Sequence, residues 1–212
     1  MKESVSVRWL RRTTALSGLL LGAFVAVHMV GNLTLLGGIA VFDSYVYALR
    51  ELLSPPMPRQ SVLWGMRIIL LGLSVVHVAG ALTLRYSRAG AAWRAAPHRH
   101  GVPGSRAMLL TGVLIAGFLV FHVAHLTAMV VVIGTHPRAL MAFQHWELVA
   151  VYAVAMAALC VHAGRGTAAA IVELWPRAAT RLARLRTASA VAAVLICAAL
   201  MIGPVLVLVG RV

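Results

Sequence analysis

The stretch Phe24-Val25-Ala26-Val27-His28-Met29-Val30-Gly31-Asn32-Leu33 decides how the chain is read, because it sets a histidine in the middle of a long apolar run. An ionisable side chain at membrane depth is costly and points to a function. Three more apolar runs each carry one, at His77, His122 and His162. Counted from where the runs begin, each histidine lies about 15 residues in, roughly 22 Å along a helix rising 1.5 Å per residue. Consecutive spans of a bundle run in opposite directions, so His28 and His122 share one depth and His77 and His162 the other. Two imidazoles at each of two depths suit two bis-histidine metal centres stacked across a bilayer, for which haem is the natural group.

The composition fits that setting. Of 212 residues 61% are apolar and only 11% charged, and the mean hydropathy is +0.91. Five runs reach the roughly 20 residues that cross a hydrocarbon core: 13–41, 62–86, 107–133, 147–166 and 188–209. The expected fold is therefore an all-α integral membrane protein. Its five spans form one domain over residues 1–212, a bundle enclosing two stacked haems. The first run is too long for a cleaved signal peptide and has no small-residue cleavage site after a short apolar region.

A net charge of +14 could suggest nucleic acid, but its distribution argues against it. Lys2, Arg8, Arg11 and Arg12 precede the first span; Arg85, Arg88, Arg94, Arg99 and Arg106 lie between the second and third; Arg165, Arg177, Arg181, Arg184 and Arg186 lie between the fourth and fifth. These 14 of the 19 basic residues share one side, leaving Arg50, Arg59, Arg67, Arg138 and Arg211 for the other. The positive-inside rule then places the N-terminus in the cytoplasm, with His77 and His162 as the inner layer and His28 and His122 as the outer one. The basic face suits lipid headgroups and a docked soluble partner.

Other features refine the picture. Ser17-Gly18 and Thr111-Gly112 each begin eleven residues before a histidine, and Phe24 and Phe118 lie four before it. Eleven residues is close to three turns, so these small residues fall on the histidine's face about 16 Å deeper, near the inner layer. There they admit a bulky ring or simply allow close helix packing. His125, one turn from His122, competes with it as a ligand or stands behind it; depth and spacing favour His122. His98, His100, His136 and His145 fall in loops or at interfaces. Residues 42–51 read as a short amphipathic helix at the outer interface, broken by Ser54-Pro55-Pro56-Met57-Pro58. The fourth helix extends towards Trp175, and Gly203-Pro204 interrupts a fifth helix that holds no ionisable residue. Cys160 and Cys197 lack metal spacing and read as small core residues. Arg85 and Arg165 can pair with a haem carboxylate or snorkel to the headgroups.

His28-Met29-Val30-Gly31-Asn32-Leu33, followed by Tyr45, Ala48-Leu49-Arg50-Glu51, Leu63-Trp64 and Arg67, resembles the dihaem cytochrome b (b558-type) membrane anchor of succinate:quinone oxidoreductases and quinol:fumarate reductases. The run from His77 to Arg88 is similar to that family's second span, His122-Val123-Ala124-His125-Leu126-Thr127 to its third, and His162 with Gly166 to its fourth; the fifth contributes only hydropathy. The resemblance implies that His28, His77, His122 and His162 are the ligands of two haems b, with Ser17, Thr111, Gly31, Gly80, Arg85 and Arg165 around them. It implies a bacterial cytoplasmic membrane, with a flavoprotein and an iron–sulfur subunit on the cytoplasmic face. Electrons from succinate then reach a quinone, usually menaquinone, otherwise ubiquinone. A higher oligomer of the whole complex is compatible with it. Quinone candidates are Asp43, Tyr45, Trp64 and Arg67 at the outer face, or Trp9, Arg12 and Arg85 at the inner face.

Two departures stand out. Arg165-Gly166-Thr167-Ala168 replaces a region where the family often has tryptophan or histidine. Cys160 stands where some members carry a glutamate that serves a transmembrane proton route. The competing readings are a cytochrome b subunit of a hydrogenase, formate dehydrogenase or nitrate reductase, and a haem-free anchor or transporter whose histidines relay protons.

Overall fold

A computed structural model of the chain describes residues 5–87, 106–133 and 140–211, with side chains of residue 5 and residues 126–133 left aside. Arg88, Arg94, Arg99, His98, His100, His136 and Arg138 lie outside the described residues. Six α-helices are described: α1 (Val5–Leu33), α2 (Ile39–Glu51), α3 (Ser61–Tyr86), α4 (Arg106–Ile133), α5 (Trp146–Leu174) and α6 (Leu182–Leu208). All but α2 are long and apolar enough to cross a membrane.

The spans sit where the apolar runs place them, but several ends move. α1 begins at Val5, not at residue 13, because the Arg8, Arg11 and Arg12 segment is itself helical. Arginine is a good helix former, so charge ends the apolar run without ending the helix. α1 stops at Leu33 and not at residue 41, and a 3-10 turn follows over Thr34–Gly37. Gly38 then takes φ +93°, a conformation that costs a side chain dearly, and redirects the chain into α2. α5 continues to Leu174, in line with the expected extension of the fourth helix towards Trp175, and α6 starts at Leu182, six residues before the run at 188.

The end of α1 explains why His28-Met29-Val30-Gly31-Asn32-Leu33 reads as it does. The Asn32 amide donates to the His28 carbonyl at 2.8 Å, and the Thr34 hydroxyl to the Gly31 carbonyl at 2.7 Å. The second bond satisfies a carbonyl that the helix end leaves open, and the first adds to a carbonyl already within the helix. Gly31 lies directly under the Tyr45 ring of α2, where any Cβ would collide with the phenol. The loop after α2 is closed by Gln60 N–H to the Arg50 carbonyl at 2.8 Å and by an ion pair between Arg59 and Glu51.

α5 is the centre of the bundle, packing against α1, α4 and α6, while α1 also packs against α3 and α6. α6 presses its small residues on α5: Gly164 leaves room for Ala190, and the Cys197 thiol of α6 is buried. At one end of the bundle Arg11 of α1 pairs with Glu173 of α5, both largely buried. At the other, Phe143, Val149, Tyr152 and Val207 form the main buried cluster, flanked by Phe118 and Met201. Two close-packed pairs, α1 with α3 and α4 with α5, thus frame the four histidines.

Candidate metal centre: two facing imidazole pairs

The four histidines come together as two pairs, each joining one helix of the first hairpin to one of the second. His28 of α1 faces His122 of α4, with ring centres 6.2 Å apart and planes at 81°. His77 of α3 faces His162 of α5, again at 6.2 Å, with planes at 72°. Neither α1 with α4 nor α3 with α5 makes extensive backbone contact among the described residues, so the rings meet across a gap between helices.

At His77 and His162 the hydrogen bonds made by Nδ1 assign the tautomer. Nδ1 of His77 lies 3.0 Å from the Thr14 carbonyl, which only accepts, so this nitrogen carries the proton. Ser17 Oγ lies 3.5 Å away and gives its own proton to the same carbonyl. His162 repeats the arrangement on α4. Thr111 Oγ1 is 3.2 Å from its Nδ1 and spends its hydroxyl proton on the Ala107 carbonyl at 2.7 Å, so it accepts from the ring. Backbone of Met108, three residues earlier, accepts from the same imidazole. Thr14 with Ser17, and Met108 with Thr111, are the same device at the same spacing. Each leaves Nε2 unprotonated with its lone pair free for a metal.

Glycines complete these seats. A Cβ at Gly18 would fall 2.8 Å from His77 Cε1, and one at Gly112 3.3 Å from His162 Cε1. The Ser17-Gly18 and Thr111-Gly112 pairs therefore hold the imidazole of the neighbouring helix: each glycine admits the ring, and the ring proton goes to the Thr14 carbonyl beside Ser17 in one seat and to the Thr111 hydroxyl in the other. Gly31 and Gly80 have other neighbours. Gly31 seats Tyr45, and Gly80 seats the side chain of Thr14 where α3 crosses α1.

Phenylalanines line the other pair. Phe24 stacks on His28 at 5.6 Å and Phe118 on His122 at 5.6 Å, each one turn earlier on its own helix. His122 Nδ1 meets the Tyr152 hydroxyl at 3.0 Å, and His125 Nδ1 meets the same hydroxyl at 3.3 Å. His125 thus stands beside the pair, not in it. Tyr152 and Thr14 are the contributors that the reading of the sequence missed. A phenol ten residues before His162 in an otherwise apolar run was the available signal for Tyr152; the Thr14 contribution is a backbone carbonyl and leaves none.

A metal-bound imidazole nitrogen lies about 2.0–2.1 Å from its ion and the ring centre about 1.1 Å beyond, so two trans imidazoles have centres about 6.3 Å apart. Both observed pairs fit that span. Among the described residues no three His, Cys, Asp or Glu side chains converge as a metal site. Two facing imidazoles therefore suit an ion that brings its other ligands with it, as haem iron does. The two levels are eleven residues apart on α1, from Ser17 beside His77 to His28 itself, or about 16 Å.

The remaining candidates lie apart from these pairs. Arg67 sits over the Trp64 ring at 4.7 Å, Tyr45 packs on Gly31, and Asp43 is half-buried on α2. Trp9 and Arg12 are exposed, Arg85 lies over Tyr86 at 5.8 Å, and Arg165 is exposed on α5. No family model, curated protein or solved structure matches the chain.

Proposed function

We propose that the chain is the membrane-anchor cytochrome b subunit of a succinate:quinone oxidoreductase, with two haems b held by His28 with His122 and by His77 with His162. The observation that carries this reading is the pair of 6.2 Å imidazole separations, with the outward nitrogens of His77 and His162 already committed to α1 and α4. Bis-histidine haem supplies reversible one-electron chemistry without an open site for oxygen.

The chain's own residues do the rest. Thr14, Ser17, Thr111 and Gly18 fix ring orientation and keep Nε2 unprotonated at the end of the bundle where α1 starts. Phe24 and Phe118 exclude water from the other pair. The basic segments at the first end carry the cytoplasmic contacts, with a flavoprotein and an iron–sulfur subunit as partners and anionic lipid around them. Electrons from succinate pass to a membrane quinone, with menaquinone the expected species and the bacterial cytoplasmic membrane the expected location. The chain acts as an enzyme only within that complex.

A reduced-minus-oxidised visible spectrum of the purified chain should show two haem b components, one of which disappears in His77→Ala. A tagged chain should bring down a flavoprotein with succinate-dependent dye reduction. Absence of haem bands overturns the reading; recovery of a hydrogenase or molybdenum subunit moves it to another cytochrome b class.

A further inference from the structure

The two imidazole pairs are anchored by different chemistry. At the level of Ser17 and Thr111 the rings are held by backbone carbonyls and by hydroxyls already bonded to their own helices. At the other level the anchor is the Tyr152 phenol, which touches two imidazoles at once. Tyr152 is 7% exposed and wedged edge-on between Phe118 at 4.9 Å and Phe143 at 4.8 Å, so its hydroxyl has little freedom to turn away.

Resting on the haem reading above, we infer that Tyr152 and His125 form a directed hydrogen-bond relay that positions His122 and tunes the iron it shares with His28. A phenol has one proton to give. With Nε2 of His122 on iron, its Nδ1 carries a proton and donates to the Tyr152 oxygen. Tyr152 must then donate its own proton to Nδ1 of His125. That fixes His125 as the tautomer protonated at Nε2, an atom that is buried and has no hydrogen-bond partner among the described residues. The direction of the chain, from His122 to Tyr152 to His125, follows from His122 having only Nδ1 left to donate and from His125 Nδ1 being the acceptor that the described residues place beside the phenol.

An acceptor on the outward nitrogen raises the basicity of an iron-bound imidazole and favours the ferric state. Donation from Tyr152 to His125 polarises the phenol oxygen and strengthens it as that acceptor. Tyr152 is a positioning residue in this scheme and touches no substrate. The relay acts on one centre only, because among the described residues the His77 and His162 seats are made by Thr14, Ser17 and Thr111 and by no phenol.

The test is a potentiometric titration of both haem components in the intact membrane complex. The component belonging to His28 and His122 is the one that survives in His77→Ala. Tyr152→Phe should raise its potential by about the equivalent of a tenfold change in ferrous preference, 59 mV for one electron, and leave the other component in place. His125→Leu should move the same component in the same direction by less, and the double variant should match Tyr152→Phe alone. Equal shifts in both components, no shift, or strictly additive shifts would overturn the relay. If Tyr152→Phe fails to assemble, His125→Leu decides by itself: a shift confined to the one component supports the relay and no shift rejects it. A wild-type chain without haem bands rejects the haem reading instead, a result told apart before any variant is titrated.

Discussion

Replacing Gly18 with alanine tests the seat of His77 directly. The new Cβ would lie 2.8 Å from His77 Cε1 and 3.1 Å from Nδ1. Carbon atoms rest comfortably at about 3.5–4.0 Å, so the ring must retreat by about 0.7 Å or more. Metal–ligand distances tolerate only about ±0.2 Å, so the imidazole cannot retreat that far and keep both its Thr14 hydrogen bond and an iron. Overpacking of this kind costs about 1–3 kcal/mol, and here it falls on one ligand. Gly112→Ala is the graded companion: its Cβ would lie 3.3 Å from His162 Cε1, a shortfall of a few tenths of an ångström. Gly22→Ala is the control on α1, since nothing lies within 4 Å of its Cβ position. Haem per chain and the reduced-minus-oxidised spectrum are measured for all three. Gly18→Ala should lose the component that His77→Ala loses, Gly112→Ala should weaken the same component, and Gly22→Ala should keep both. Full occupancy of both components in Gly18→Ala, or equal loss of both, would refute the assignment of this glycine to the His77 seat.

Further outcomes follow from the same geometry. The imidazole planes of each pair stand at 81° and 72°; if each pair holds a haem iron as proposed, near-perpendicular rings would leave the two iron orbitals that they address close in energy, so both ferric centres should give highly anisotropic low-spin EPR signals, and rhombic signals typical of parallel rings would contradict the ring orientations. Glu173→Gln removes the charge opposite Arg11 in a largely buried pair and should lower stability by about 1–3 kcal/mol, whereas Glu51→Gln, facing the exposed Arg59, should cost less than about 1 kcal/mol; thermal unfolding in detergent ranks the two, and equal effects would count against the difference in burial. Asp43, Glu51 and Glu147 lie towards one end of the bundle and Glu173 at the other, leaving no carboxylate in the interior of the described spans. If quinone binds at the end away from Arg11, electrons from the cytoplasmic side move outward with the membrane potential, which then drives turnover, and succinate:quinone activity in sealed vesicles should fall when a protonophore collapses it; activity indifferent to the potential would place the quinone at the other end or require a different proton route.

Hydropathy and helical rise were enough to read five spans, a single bundle and four histidines at two depths, because burial in lipid forces every spanning segment to be apolar and regular. The ends of the spans were less legible. Arginine continues a helix as readily as it ends an apolar run, so α1 reaches back to Val5 and α6 to Leu182, whereas the extension of the fourth helix to Leu174 was legible. The spacing of Ser17-Gly18 and Thr111-Gly112 was visible, but what those residues touch was not. A ring on α3 or α5 reaches them only after two helices have packed, and no local pattern in one segment records the partner chosen by another. Gly31 illustrates the limit: nothing local to it records that the Tyr45 ring of α2 packs against it. Tyr152 shows the same limit from the other side. Helix propensity and hydropathy treat it as one more aromatic residue in α5, and only the packing of α4 against α5 sets its hydroxyl between His122 and His125.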